Sequence, residues 1–224
     1  MAPLFGSIPT VKVYARAAYP SWDYKDPKWR DQDYNAHFFT HAVKNDRVKI
    51  GQRRTLLPMG AGSAMVWIDQ TNLDVCQKFF ARWAAIKCHR LEVKDPVFVA
   101  IPNRNALGDS KAFNTAKLAR LAAAAFGPAA SAYTGLRFKA FVPKDGKRQS
   151  VAELVSNMTL IEPLPSEGTL VLLDDVYTLG HHITAAYKMM PKGRKPEIAL
   201  VAAKTEKRPL PDMTVVDEEN HWCF

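Results

Sequence analysis

One stretch sets the architecture of this chain: Thr169-Leu170-Val171-Leu172-Leu173-Asp174-Asp175-Val176-Tyr177-Thr178-Leu179-Gly180-His181-His182-Ile183-Thr184-Ala185-Ala186. It opens with five residues dominated by branched aliphatic side chains, a run too short for a helix and typical of a parallel strand buried on both faces. Two acids close this run, a short turn containing Thr and Gly follows, and residues 183–190 have a helical pattern. The stretch therefore predicts a strand, a turn and a helix in succession.

The turn between the predicted strand and helix has the properties of an anion-binding site. Backbone N–H groups and the positive end of the helix dipole face such a turn, and the hydroxyl of Thr178 adds a donor. Two adjacent carboxylates beside an anion site suit a ligand that carries both a phosphate and vicinal hydroxyls. Ribose 5-phosphate fits this description. A plain strand–turn–helix with an incidental Asp-Asp pair is the alternative interpretation.

The same stretch resembles the phosphoribosyl-pyrophosphate-binding motif of type I phosphoribosyltransferases. In that motif a hydrophobic strand is followed by two acids, an aliphatic residue, any residue, and then Thr-(Thr/Ser)-Gly-x-Thr. Five residues of this chain match it: Asp174, Asp175, Val176, Thr178 and Gly180. Leu179 and His182 stand where the motif usually has hydroxyl residues, so two phosphate donors are replaced.

The resemblance implies the type I phosphoribosyltransferase fold, an α/β fold with a mainly parallel sheet flanked by helices, here with a variant N-terminal hood. It also implies transfer of ribose 5-phosphate from phosphoribosyl pyrophosphate to an acceptor, with release of pyrophosphate and with Mg²⁺ as cofactor. Asp174 and Asp175 would be the catalytic residues and would hold the metal ion through water. The residues expected to bind the 5-phosphate are Val176, Tyr177, Thr178, Leu179, Gly180, His181 and His182.

A second predicted strand, Pro96–Pro102, runs into the polar loop Asn103–Ser110. Ligands in open parallel sheets sit at the carboxyl ends of the strands, so this loop should open on the same side as Asp174. The resemblance makes the loop the candidate pyrophosphate site, with Asn103 and Arg104 as binding residues. A plain connection with a surface arginine is the alternative.

The segment Arg137–Arg148 contains five basic residues. The resemblance predicts a mobile loop that closes over the diphosphate and screens the reacting carbon from water, with Lys147 and Arg148 contacting pyrophosphate. A solvated basic loop is the alternative. Phe138 and Phe141, interleaved with the basic residues, also suit single-stranded nucleic acid.

Two further segments resemble ComF-type (amidophosphoribosyltransferase-like) proteins. Residues Phe113–Arg120 are similar to their Gly-Phe-Asn-Gln-Ala-x-x-Leu-Ala segment, and Lys147–Asn157 is more loosely similar to their Gln-Ser-x-Leu-Ser-x-x-x-Arg-x-x-Asn segment. The resemblance covers residues 96–205. The N-terminal part of this chain does not supply the four-cysteine zinc ribbon that such proteins usually carry.

The composition is that of a globular protein, with 47% hydrophobic and 24% charged residues in a chain of 224. This length suits one core with a small appended piece, and we assign residues 1–62 to the hood and residues 63–224 to the α/β core. No apolar run approaches the roughly 20 residues of a membrane span, and no secretory signal is visible. Three cysteines without a CxxC pair indicate a reducing compartment, so we expect a cytoplasmic protein with no membrane partner.

The hood is the least regular part of the sequence. Val11–Ala15 alternates like a strand, an aromatic stretch spans residues 19–34, and Arg47–Ile50 with Thr55–Leu57 suits a short hairpin. His37 and His41 are four residues apart, which places both rings on one face of a helix. Because the sequence offers no third ligand nearby, we expect two partly exposed histidines rather than a metal site.

The remaining patterns alternate strands with helices, as in an α/β sandwich. Strands are predicted at residues 64–69 and 196–203, an edge strand at 214–216, and helices at 72–87 and from about 110 to 125. Residues 217–224 are predicted to form a tail.

The principal functional hypothesis is a phosphoribosyltransferase with an unidentified acceptor. The net charge of +9 indicates anionic partners without naming one. One alternative is a catalytically degenerate protein of the same fold that binds nucleic acid or nucleotides. Another is a component of a larger assembly that docks through its aromatic N-terminal segment. The oligomeric state stays open, with a homodimer as the commonest closed assembly.

Overall fold

The computed structural model describes residues 9–44, 55–57, 66–68, 71–104, 106–108, 113–141, 149–213 and 218–223. Its strands are β1 (Thr10–Pro20), β2 (Thr55–Leu57), β3 (Val66–Ile68), β4 (Pro96–Ala100), β5 (Ser131–Tyr133), β6 (Leu136–Phe138), β7 (Met158–Leu160), β8 (Thr169–Tyr177), β9 (Ile198–Glu206) and β10 (Glu218–Trp222). Its helices are α1 (Asp31–Val43), α2 (Leu73–Arg90), α3 (Asn114–Phe126), α4 (Val151–Asn157) and α5 (His181–Met189). Within these segments, every helix is too short or too polar to cross a bilayer.

Six strands form the central sheet, in the order β10-β1-β9-β8-β4-β5. Five neighbouring strands of this sheet run parallel, namely β1, β9, β8, β4 and β5. The edge strand β10 pairs antiparallel with β1. The predicted α/β class with a mainly parallel sheet flanked by helices is therefore confirmed. The strand that contains the two acids, β8, lies inside this sheet between β4 and β9.

Side chains of the strands alternate between the two faces of the sheet, and helices cover each face to form two cores. Val171 and Leu173 of β8 pack in one core with α1, α2 and α3. Leu170 and Leu172 pack in the other core with α4 and α5. The continuous aliphatic run in β8 is thus explained by burial on both sides, as the sequence predicts.

Both chain ends join the central sheet. The predicted strand Val11–Ala15 lies in the first half of β1, which pairs with β9 along most of its length, so this piece of the predicted hood belongs to the central sheet. The prediction of a C-terminal tail is wrong for Glu218–Trp222, which pairs antiparallel with β1. The edge strand predicted at residues 214–216 lies outside the described residues, as does much of the segment 45–65.

The strand predicted at residues 64–69 does not enter the central sheet. Its described part, β3, pairs only with β2 in a separate two-stranded antiparallel sheet among the residues that the structure covers. The partner of Thr55–Leu57 there is β3, whereas Arg47–Ile50 of the predicted hairpin lies outside the described residues. The boundary between hood and core at residue 62 stays a prediction.

The two histidines of α1 belong to an aromatic cluster at the end of β1. The His37 ring stacks on Tyr19 with centroids 5.5 Å apart, and Trp29 and His41 lie 5.0 Å and 4.3 Å from it. Burial, together with the neighbouring His41, lowers the pKa of His37 to about 4. Its buried Nδ1 has no hydrogen-bond partner among the described residues. Within the same part of the chain, no group of three or more His, Cys, Asp and Glu side chains could hold a metal ion.

The low pKa of His37 makes stability depend on pH. The unfolded chain takes up this proton near pH 6.5, whereas the folded protein takes it up only near pH 4, so the free energy of unfolding should fall as pH decreases through that window. A His37→Phe variant should show a smaller fall. The measurement is the urea midpoint of variant and wild type from pH 7.5 to 4. Parallel curves would show that His37 does not contribute.

Candidate active site at the carboxyl ends of β4 and β8

The sequence predicted a strand that ends at the two acids, whereas β8 continues two residues beyond them to Tyr177. Pairing between β8 and β9 continues through Asp174 to Tyr177, which lies opposite Lys204. Pairing between β8 and β4 ends earlier, at Leu173 opposite Ala100. The backbone of β8 therefore carries both carboxylates beyond the end of β4, held by the sheet on the β9 side.

This position is a topological switch point of the sheet. From β4 the chain passes through α3 to β5 on one side, whereas β8 and β9, connected by α5, lie on the other side. The two helices also cover opposite faces of the sheet. Such an arrangement leaves a crevice outside the carboxyl ends of the two strands where the order reverses, and ligands of open α/β sheets bind in that crevice.

Asp174 is the buried member of the acid pair. Its side chain is 8% exposed, and its Oδ1 accepts a hydrogen bond of 2.8 Å from the backbone N–H of Asp175. Burial raises the pKa of Asp174 well above the ordinary value, and the neighbouring Asp175 raises it further. Asp175 itself is half-buried. The site thus holds one buried carboxyl group with a raised pKa beside a second, more accessible acid.

The turn after β8 leads directly into α5. Gly180 has a φ of +72° and precedes His181, the first residue of α5. The helix therefore begins two residues earlier than the sequence indicated. The first N–H groups of a helix have no intrahelical acceptor, so they are available to an anion. Around them, the hydroxyl of Thr178 lies 2.9 Å from that of Thr205 on β9, and the Leu179 side chain is exposed.

The two histidines at the start of α5 have different surroundings. The Nδ1 of His181 donates a hydrogen bond of 2.9 Å to the backbone carbonyl of Gln149, the first residue described after segment 142–148. The His182 ring packs edge-on against Phe138, with centroids 6.2 Å apart. Burial, with a smaller effect of His181, lowers the pKa of His182, so this imidazole is held in its neutral form.

The predicted pyrophosphate loop follows β4 at the same edge of the sheet. The strand ends close to β8, because the N–H of Ile101 donates to the carbonyl of Leu173 over 3.0 Å. In the turn that follows, Asn103 is half-buried and Arg104 is exposed. The structure therefore brings both residues to the edge that carries the acids. Lys147 and Arg148, the other predicted pyrophosphate ligands, lie outside the described residues.

Hydrogen bonds hold the described residues on either side of segment 142–148, which contains Lys147 and Arg148. On one side, the side-chain amide of Asn157 donates to the carbonyl of Ala140 over 3.0 Å and accepts from its N–H over 2.9 Å. On the other side, Ser150 and Glu153 form a capping box at the start of α4. Asn157, which the sequence offered only as part of a resemblance, thus anchors the base of the predicted loop.

Arg137, the first basic residue of the predicted loop, does not lie at the protein surface. Arg137 is buried rather than solvated, with its guanidinium 4.4 Å from the ring centroid of Phe113. The following residues of the Phe113–Arg120 segment are also structural, since Asn114 donates to the carbonyl of Val43 over 2.8 Å and Thr115 to that of Ile101 over 2.5 Å. This segment therefore connects α3 to the end of α1 and to the end of β4.

Two residues from distant parts of the chain reach the site without any local sequence signal. Lys44 follows α1, and its positive charge partly offsets the rise in the pKa of Asp174. The bond from Asn114 to the Val43 carbonyl holds the end of α1 in that position. His221 of β10 contacts the turn at Gly180. Only the pairing of distant segments could reveal either contact.

Comparison with family models and with curated proteins found no match for this chain. Two carboxylates at a strand end supply hard oxygen ligands, and Mg²⁺ is commonly bound through one or two carboxylates together with waters and substrate phosphates. The residues present therefore fit a magnesium–diphosphate ligand, although a proton on Asp174 competes with the cation.

Replacing Asp174 by asparagine should stabilise the protein. Because its pKa is raised in the folded state, the unfolded chain loses this proton first, and the free energy of unfolding falls as pH rises above about 4. Asn retains the Oδ1 acceptor for the Asp175 N–H but carries no charge. Asp174→Asn should therefore melt above the wild type at pH 8, with a difference that shrinks towards pH 4.

The matched control is Asp74→Asn in α2, which removes an exposed carboxylate 2.7 Å from Lys78. The pairing with Lys78 lowers the pKa of Asp74, so removal of this carboxylate should not raise the melting temperature at pH 8. Scanning calorimetry of the three proteins from pH 4 to 8 makes the comparison. A melting temperature of Asp174→Asn equal to or below that of the wild type at pH 8 would contradict the inferred charge burial.

Proposed function

We propose that this chain is a phosphoribosyltransferase of the type I fold, which transfers ribose 5-phosphate from phosphoribosyl pyrophosphate to an acceptor and releases pyrophosphate. The observation that carries the proposal is the position of Asp174 and Asp175. They lie at a topological switch point, directly before a turn into a helix N-terminus. A phosphate and a hydroxyl-bearing ring can be bound side by side in such a crevice.

The two ends of the ligand would be bound by different chemical groups. The backbone N–H groups of residues 178–182 face the positive end of α5 and suit the 5-phosphate. The carboxylates of Asp174 and Asp175 suit the ribose hydroxyls, and they stabilise positive charge that develops at the anomeric carbon as the diphosphate departs. Mg²⁺, when bound through these acids and water, would neutralise charge on the diphosphate.

The departing pyrophosphate would lie towards β4. Arg104 and Asn103, in the turn after that strand, are the described residues suited to receive it, and Lys147 and Arg148 are proposed to complete the site. A reducing cytoplasmic compartment remains the proposed location, since all three cysteines are buried free thiols. The acceptor is a nucleophile still to be identified, and a homodimer is the proposed assembly.

A second candidate is a degenerate protein of this fold that binds nucleic acid or nucleotides. Two exposed apolar side chains favour it: Leu179, at a position where a phosphate donor would be expected, and Phe141, beside the basic segment. Exposed aromatic rings among basic residues stack on bases, and the net charge of +9 favours polyanions. This candidate predicts affinity that falls steeply with salt and no release of pyrophosphate.

Calorimetric titration with phosphoribosyl pyrophosphate, with and without Mg²⁺, tests the proposal. We expect micromolar binding that requires the metal, and a loss of at least tenfold in the double variant Asp174→Asn/Asp175→Asn because both acids contact the ligand or its metal. Asp74→Asn is the control for loss of a carboxylate elsewhere.

Ribose 5-phosphate is titrated in parallel. If phosphoribosyl pyrophosphate with Mg²⁺ binds no more tightly than ribose 5-phosphate alone, the degenerate alternative is supported. Undiminished binding and turnover in the double variant would remove the central role of the acids.

A further inference from the structure

His221 of the C-terminal strand lies against the turn that follows β8. Its Nδ1 is 3.1 Å from the hydroxyl of Tyr177, the last residue of β8. Its Nε2 is 2.7 Å from the hydroxyl of Thr184, in the first turn of α5. Since hydroxyl groups both donate and accept, one imidazole can bond to both partners at once. The ring therefore bridges the two elements that the turn connects.

The same ring also fills the space beside the glycine of the turn. A Cβ added at Gly180 would lie 2.5 Å from Nε2 and 2.6 Å from Nδ1 of His221, a separation that real side chains do not tolerate. Gly180 also has a left-handed φ of +72°, which disfavours other residues. Its carbonyl accepts the N–H of Thr184 over 2.8 Å. The backbone of the turn is thus in direct contact with the histidine.

The rest of β10 holds His221 in place. The strand pairs antiparallel with β1, where His221 lies opposite Val11. Two residues later the N–H of Cys223 donates to the carbonyl of Pro9 over 2.9 Å. The backbone of His221 is therefore held at the edge of the central sheet by pairing that does not involve the turn.

We propose that His221 is a positioning residue that holds the turn from Thr178 to Gly180 in its anion-binding conformation. This inference rests on the proposed function, because it concerns the turn assigned to the 5-phosphate. An anion site at a helix N-terminus works only if consecutive N–H groups converge on one point, and that convergence depends on the backbone angles of the turn. The C-terminal strand is then part of the phosphate site without touching the ligand.

The experiment compares four variants with the wild type. His221→Leu keeps most of the volume and removes both hydrogen bonds, whereas His221→Gln places an amide near Nε2 and His221→Asn places one near Nδ1. Val11→Ala is the matched control, because Val11 is fully buried and is the cross-strand partner of His221. The readouts are the dissociation constant for ribose 5-phosphate, the melting temperature, and amide hydrogen exchange of residues 178–184.

We expect His221→Leu to weaken ribose 5-phosphate binding about tenfold or more, which corresponds to the loss of one to two hydrogen bonds. Exchange should accelerate at residues 178–184 and remain slow in β4. His221→Gln should recover part of both losses through Thr184. Val11→Ala should lower the melting temperature without changing the dissociation constant. Unchanged binding and exchange in His221→Leu, or equal losses of affinity in His221→Leu and Val11→Ala, would overturn the proposal.

The exchange measurement separates this inference from the proposed function. If the wild type binds neither ribose 5-phosphate nor phosphoribosyl pyrophosphate, the proposed function fails. Accelerated exchange confined to residues 178–184 in His221→Leu would then still support the positioning role. Exchange that is unchanged, or accelerated equally throughout the sheet, would overturn it.

Discussion

The pairing of β8 with β9 beyond the end of β4 is the constraint on which the site depends. It carries Asp174 and Asp175 forward on a rigid strand while the neighbouring strand on the other side turns away. The acids therefore lie at the topological switch point of the sheet without belonging to a flexible loop. Rigid elements hold functional groups more closely in position than loops do, so this pairing defines where a ligand can bind.

Such a position is costly for Asp174. A carboxylate in a buried strand loses its hydration, and this loss raises the pKa of Asp174. The four aliphatic residues immediately before it are 0–4% exposed, and each contributes about 1.5–3 kcal/mol through burial. The strand is therefore stabilised by its hydrophobic half and destabilised by its acidic half. Locally unfavourable residues in an otherwise consistent element are expected at functional sites.

Contacts from both ends of the chain converge on this strand and the turn after it. Lys44, at the end of the first helix, contributes positive charge near Asp174, and His221 supports the turn at Gly180. The N-terminal and C-terminal strands pair with each other at one edge of the sheet. The segments before α2 and after β9 are thus not simple additions to an α/β core, because each supplies a residue that acts on the candidate site.

The sequence by itself determined the α/β class, the strand–turn–helix around Asp174, and the meeting of the loop after β4 with the end of β8. These features follow from local patterns: an aliphatic run buried on both faces, a glycine turn, and parallel strands that end at one edge. Only the tertiary structure decided that the acids lie inside the strand, that Arg137 is buried, and that Glu218–Trp222 forms an edge strand. Pairing between segments distant in sequence decides these features, and a local pattern does not encode which distant segment becomes the partner.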